Sequence, residues 1–349
     1  MSLDVGRLVI RAPNPLGDAI MSLPAMAAVR TALPGAHLIL AAVPAVAPLF
    51  EEITAVSPNA VLVVDKKREA MHLRETRADA ALLLTNSFRT AWVCRQAGIR
   101  ERWGYRAYGR SLLLTQAVAR PRGRVHQSEY YLKLVRTVLQ EISVAPGSSD
   151  PGEALIRITS ETRRRTDLFL ANLGIDRAAP LVGFAPGAAY GHAKRWPPDR
   201  VAQVIGRLSA QGAFSVLVGA GGDRDAGREI ESSLPAGARV ANVIGRTDLR
   251  LLTGVLAACH AFVSNDSGAM HLAAAVGVPV AAIFGPTDER VTAPLGDHDV
   301  IVQQVFCRPC MLRDCPIDHR CMRRVSVDMV FEAVTRRLQQ RHPPAASRA

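Results

Sequence analysis

Residues 264–286 read SNDSGAMHLAAAVGVPVAAIFGP, and the fold can be worked outward from them. HAFVS at 260–264 is a short apolar strand, MHLAAAVG at 270–277 is a helix halted by Gly277, and VPVAAIFG at 278–285 is a second apolar strand. The joint at 265–268 then points backbone N–H groups and the positive end of a helix dipole above the sheet, where an anion fits. Asp266 or Ser267 can cap the helix, Gly268 permits close backbone approach, and His271 lies about one turn in on the same side. Taken alone, the stretch reads equally as an ordinary strand–helix joint.

The same rhythm extends in both directions. Upstream, LVGFAPG at 181–187 and FSVLVGA at 214–220 alternate with helical stretches. In the first half, RLVIRA at 7–12 runs through a Gly-containing turn into a helix ending before Pro34, and HLILAAV, AVLVVD and AALLLT follow at crossover spacing. Apolar strands alternating with helices predict parallel sheets covered on both faces, hence α/β with two Rossmann-like doubly wound domains facing a central cleft. The loosest composition, rich in Pro, Gly and Ser, falls within 144–179. The expected organisation is an N-terminal Rossmann-like domain at 1–170 and a C-terminal Rossmann-like domain at 171–325. Residues 326–349 are expected as a helix packing back on the N-terminal domain, followed by a polar tail.

Composition narrows the chemistry. The formal net charge of +12 favours an acidic partner. Aromatic content is 5%, and no aromatics alternate with basic residues as base-stacking surfaces require, so nucleic acid is not the expected partner. No apolar run approaches membrane-span length and residues 1–13 lack a signal-peptide core, so a cytoplasmic protein is expected.

GAAYGHAKRW at 187–196 places Lys194 after a strand, where its cation could neutralise a diphosphate; by itself it reads as a surface lysine. Neither a Walker A spacing nor a GxGxxG turn occurs, which argues against a P-loop NTPase and a dinucleotide oxidoreductase. Asp18, just past the first strand, reads as an N-cap carboxylate or as a general base for a hydroxyl. Residues 89–124 hold nine Arg and one acid, Glu101, either a polyanion-binding face or a solvated surface. Asn86, Ser87 and Arg89 follow the 80–85 strand at the sheet edge. Cys307, Cys310, Cys315 and Cys321 have spacing compatible with zinc or with reduced structural thiols, and no metal site is assigned.

Four blocks, RAPNPLGDAIMSLPAMAAVR, NSFRTAWVCRQAGIRERWGYR, GFAPGAAYGHAKRWPPDR and NDSGAMHLAAAVGVPVAAIFGPTDE, resemble the ADP-heptose:lipopolysaccharide heptosyltransferases of glycosyltransferase family 9. The resemblance runs in order over nearly the whole chain. It implies a GT-B fold and inverting, metal-independent transfer of L-glycero-D-manno-heptose from ADP-heptose, a co-substrate rather than a cofactor, to the first heptose of the lipopolysaccharide inner core. It also implies transient contact with the inner face of the inner membrane. By that resemblance Asp18 is the base, Lys194 holds the donor phosphates, and Ala189, Tyr190, Asp266, Ser267, Gly268 and His271 contact the ADP-sugar. Asn14, Asn86, Ser87, Arg89 and Arg106 are the expected acceptor residues. Pro15, His192 and Ala269 depart from the family pattern without removing a charged group. The alternatives are a related transferase with another donor or a heptose-free acceptor, and a non-catalytic binder of acidic glycolipid or nucleic acid.

Overall fold

The computed structural model describes residues 5–142, 155–176, 178–188 and 191–341. The chain divides between Arg157 and Ile158 into two compact units. The first holds β1 (Arg7–Arg11), β2 (His37–Ala42), β3 (Ile53–Thr54), β4 (Ala60–Val63), β5 (Ala80–Leu83), β6 (Glu101–Tyr105), β7 (Gln116–Val118) and β8 (Ile156–Arg157). Strands β3 and β8 form a small antiparallel ribbon. The other six make one parallel sheet in the order β4-β2-β1-β5-β6-β7.

The second unit holds β9 (Leu181–Ala185), β10 (Phe214–Leu217), β11 (Val240–Asn242), β12 (Ala261–Asn265), β13 (Val280–Phe284) and β14 (His298–Val302). Its parallel sheet runs β11-β10-β9-β12-β13-β14. Counted by appearance, the strands of each six-stranded sheet run 3-2-1-4-5-6. This is the Rossmann order, and its direction reverses between β1 and β5 in one unit and between β9 and β12 in the other.

Burial on both faces explains why these strands lack polar alternation. Val9, Ile39, Ala81 and Leu83 pack with Ala91 and Cys94 of the Phe88–Gln96 helix. In the second unit Val182, Phe184, Val263 and Ile283 pack with Val201, Ile205 and Leu208 of the Pro198–Ala210 helix.

Two boundaries differ from expectation. The Ser160–Asn172 helix, placed in the first domain by its sequence position, belongs to the second unit. It lies against the Leu249–Ala257 helix, where a Cβ on Gly254 would stand 1.9 Å from Thr166 Oγ1. The Val327–Arg341 helix was expected to pack on the first domain. It packs instead on the second unit's own core: Val330, Ala333 and Val334 are buried there, and Arg337 pairs with Asp299 at 2.8 Å and Asp297 at 2.5 Å beside β14. Its apolar stripe matches the sheet face that the chain has just left. Of the loose stretch within 144–179, residues 144–154 lie outside the described residues.

Candidate active site

Open parallel sheets bind ligands beyond their carboxyl edges at the switch point, because the flanking loops there diverge to opposite faces. Both units place described residues of the expected set at that edge. In the first unit β1 and β5 are neighbours, with Arg11 opposite Leu83. Past β1 the Leu16–Met21 helix carries Asp18 in its first turn, and Ser22 separates it from the Leu23–Ala32 helix that Pro24 opens. Asp18 is thus inside a helix start rather than its N-cap, which is Pro15. Buried Tyr131, from the Gln127–Glu141 helix, hydrogen-bonds to the Asp18 side chain and to Gln127. Burial first, and then the Asp18 charge, push the Tyr131 phenol well above its ordinary value, so it stays a donor to that carboxylate.

A polar chain joins the two loops of this edge. Buried Glu69 takes Arg11 Nε at 3.0 Å and also pairs with Arg89. Arg11 reaches Ala12 O at 2.6 Å and Asn14 Oδ1 at 3.0 Å, while Arg89 also donates to Lys66 O. Asn86 donates to Tyr130 Oη at 2.9 Å, and Ser87 caps the Phe88–Gln96 helix through Thr90 N. The expected arginine face is only partly one. Arg110 is fully buried, donating to Tyr105 O and Thr85 O, and burial lowers its pKa to about 10. Arg102 is taken up by the carbonyls of Ile99, Arg100 and Leu113. Arg106 stays exposed, its Nε on Ala117 O.

In the second unit the loops after β9 and β12 meet. Lys194 Nζ lies 2.6 Å from Asp266 Oδ2, with both residues buried. A buried pair of this kind stands only with close geometry, because desolvation of both charges offsets most of their attraction. The Gly268–Ala275 helix begins beside it with Ser267 at the N-cap; Ser267 Oγ bonds Ser264 Oγ at 3.0 Å rather than capping a helix N–H. His271 is buried one turn in. Ala189 and Tyr190 lie outside the described residues.

Four features of this edge escape a sequence reading. Asn265 ties the two loops, its Nδ2 on Pro186 O at 2.8 Å and its Oδ1 accepting from Trp196 N at 3.1 Å. Asp223, beyond β10, pairs with Arg195 at 3.5 Å and presses on Gly187, where a Cβ would stand 2.1 Å from its Cγ. Thr287 past β13 has a buried hydroxyl at the same edge. The cysteine-bearing segment lies over these loops: Ala193 N donates to Arg313 O, Met311 N to Pro286 O, and Arg308 to Gly285 O and Thr287 O. All four of its thiols are free, and burial, followed by the neighbouring thiols, holds Cys321 above its ordinary pKa. Among the described residues no group of three or more His, Cys, Asp or Glu is disposed to hold a metal.

The description Glycosyltransferase family 9 (heptosyltransferase) matches residues 67–320. The chain belongs to glycosyltransferase family 9. It is 34% identical to lipooligosaccharide heptosyltransferase 2 of Haemophilus influenzae over 67% of each chain. It is 29% identical to lipopolysaccharide heptosyltransferase 2 of Salmonella typhimurium over 86% of this chain and 88% of that one. The solved structure of Escherichia coli ADP-heptose LPS heptosyltransferase II superposes with a TM-score of 0.81 at 28% identity, covering 96% of this chain and 99% of that one. The two Rossmann-like units are therefore those of a GT-B glycosyltransferase, and the family match takes in the Arg89, Lys194 and Asp266 loops together.

Proposed function

We propose that this glycosyltransferase moves L-glycero-D-manno-heptose from ADP-heptose to the first heptose of the lipopolysaccharide inner core, inverting the anomeric centre without a divalent metal. The observation that carries the reading is the buried Lys194–Asp266 pair beside a helix N-terminus at the β9/β12 switch point, in a chain whose full-length relatives are named for this transfer.

Asp18 takes the proton of the acceptor hydroxyl, and the oxygen attacks the anomeric carbon. The bond to the diphosphate breaks as the new bond forms, and its electron pair leaves on the ADP β-phosphate. Lys194, oriented by Asp266, and the N–H groups opening the Gly268–Ala275 helix neutralise that charge as it develops. Asn14, Asn86, Ser87, Arg89 and Arg106 are assigned to the acceptor. Because Arg89 is already paired with Glu69, its role is to present the loop as much as to supply charge. The work is placed at the cytoplasmic face of the inner membrane, where the acceptor is anchored.

Purified protein given ADP-heptose and a panel of truncated core acceptors, with and without chelator, tests this. Turnover on acceptor already carrying one heptose, unaffected by chelator, is expected. Turnover only on heptose-free acceptor would reassign the step, and loss with chelator would remove the metal-free chemistry.

A further inference from the structure

The first unit carries an exposed apolar face that the transfer chemistry does not use. In the Phe88–Gln96 helix, Ala91, Val93 and Cys94 turn inward. Positions 88, 92 and 95 recur at helical spacing on the other side, so Phe88, 48% exposed, and Trp92, 44% exposed, share a stripe with exposed Arg95. The short turn Arg110–Leu113 packs against this helix and buries Arg110 and Leu113 while leaving Leu112 91% exposed. Just ahead of it Tyr108 stands 78% exposed on a left-handed backbone (φ 45°). Large apolar side chains gathered in water mark an interaction surface more often than chance exposure.

The charge around them selects the partner. Arg95 and Arg106 are exposed within this segment, and residues 89–124 hold nine Arg against a single acid, Glu101. Exposed aromatic and aliphatic tips in an Arg-rich segment match the headgroup and upper acyl layer of an anionic bilayer. Nucleic acid would gain little from Leu112, and no helix among the described residues is long and apolar enough to cross a membrane. We infer that Trp92, Tyr108 and Leu112, with Phe88 beside them, form the face by which the first unit docks on an anionic phospholipid surface. The inference deepens the proposed reading, in which the acceptor is membrane-anchored, but does not depend on the transfer chemistry.

Trp92 is its own reporter, since the other two tryptophans, Trp103 and Trp196, are each 1% exposed. Full-length protein mixed with vesicles of 30 mol% phosphatidylglycerol in phosphatidylcholine should float with them. Its emission should shift to the blue and be quenched by brominated lipid, and all three effects should weaken in high salt. A Trp92→Ser/Leu112→Ser variant should melt like wild type, turn over a soluble lipid-free acceptor at the wild-type rate, and bind these vesicles roughly tenfold more weakly. Absence of vesicle binding in wild type, undiminished binding by the variant, or a blue shift that follows protein concentration without lipid would each overturn the assignment. Failure of the wild type to turn over the soluble acceptor would instead count against the transferase reading, independently of the vesicle result.

Discussion

At the residue scale two carboxylates, Asp266 and Asp18, and the side chains that hold them carry the proposed transfer. Asp266 shares its burial with Lys194 at 2.6 Å, so Lys194→Ala removes the cation proposed to bind the donor phosphates and also strands a buried charge, a change that costs about 3–5 kcal/mol. Calorimetry should show ADP affinity falling more than tenfold; unchanged affinity would end the role given to Lys194. Asp18 receives the Tyr131 phenol. Donation to a carboxylate stabilises its charged form, so removing the donor raises the pH at which the base takes up a proton. Tyr131→Phe should therefore move the acidic limb of the kcat/KM profile upward and lower kcat while leaving ADP affinity intact. An unmoved limb would reduce Tyr131 to packing.

At the scale of elements, Asn265 joins the loops after β9 and β12 at the sheet edge of the second unit. Asn265→Ala leaves Pro186 O and Trp196 N without their buried partner, which should cost about 2–4 kcal/mol in urea unfolding and loosen the loop bearing Lys194. A stability change below about 0.5 kcal/mol would mean the two loops are held by other contacts. The strand–turn–helix units around Asp18 and Asp266 are legible in the sequence, because uninterrupted apolar runs, a polar turn and a stopping glycine are local signals. Asp223 is not legible: its GAGGDRD surroundings have the composition of any surface loop. It joins the site only because β10 lies beside β9, an order no local pattern states. Glu69 is hidden for a similar reason, since a carboxylate after a run of Lys and Arg reads as solvated until Arg11 and Arg89 close on it.

At the scale of the whole molecule, two copies of the 3-2-1-4-5-6 order put Asp18 past β1 and Asn86, Ser87 and Arg89 past β5, and Lys194 past β9 and Asp266 past β12, the strands of the two switch points. That could be anticipated from strand–helix alternation. The ownership of connecting helices could not. The Ser160–Asn172 and Val327–Arg341 helices join the second unit through a Thr166–Gly254 contact and an apolar stripe, not through their nearness in sequence to either half. The proposed division of labour gives Asp18 the role of base and gives Lys194 with Asp266 the leaving diphosphate. It is tested most directly by measuring heptosyl transfer and ADP binding side by side in wild type and Asp18→Ala. The account predicts turnover reduced by at least about a thousandfold with the ADP dissociation constant unchanged. Residual turnover within about tenfold of wild type would contradict it.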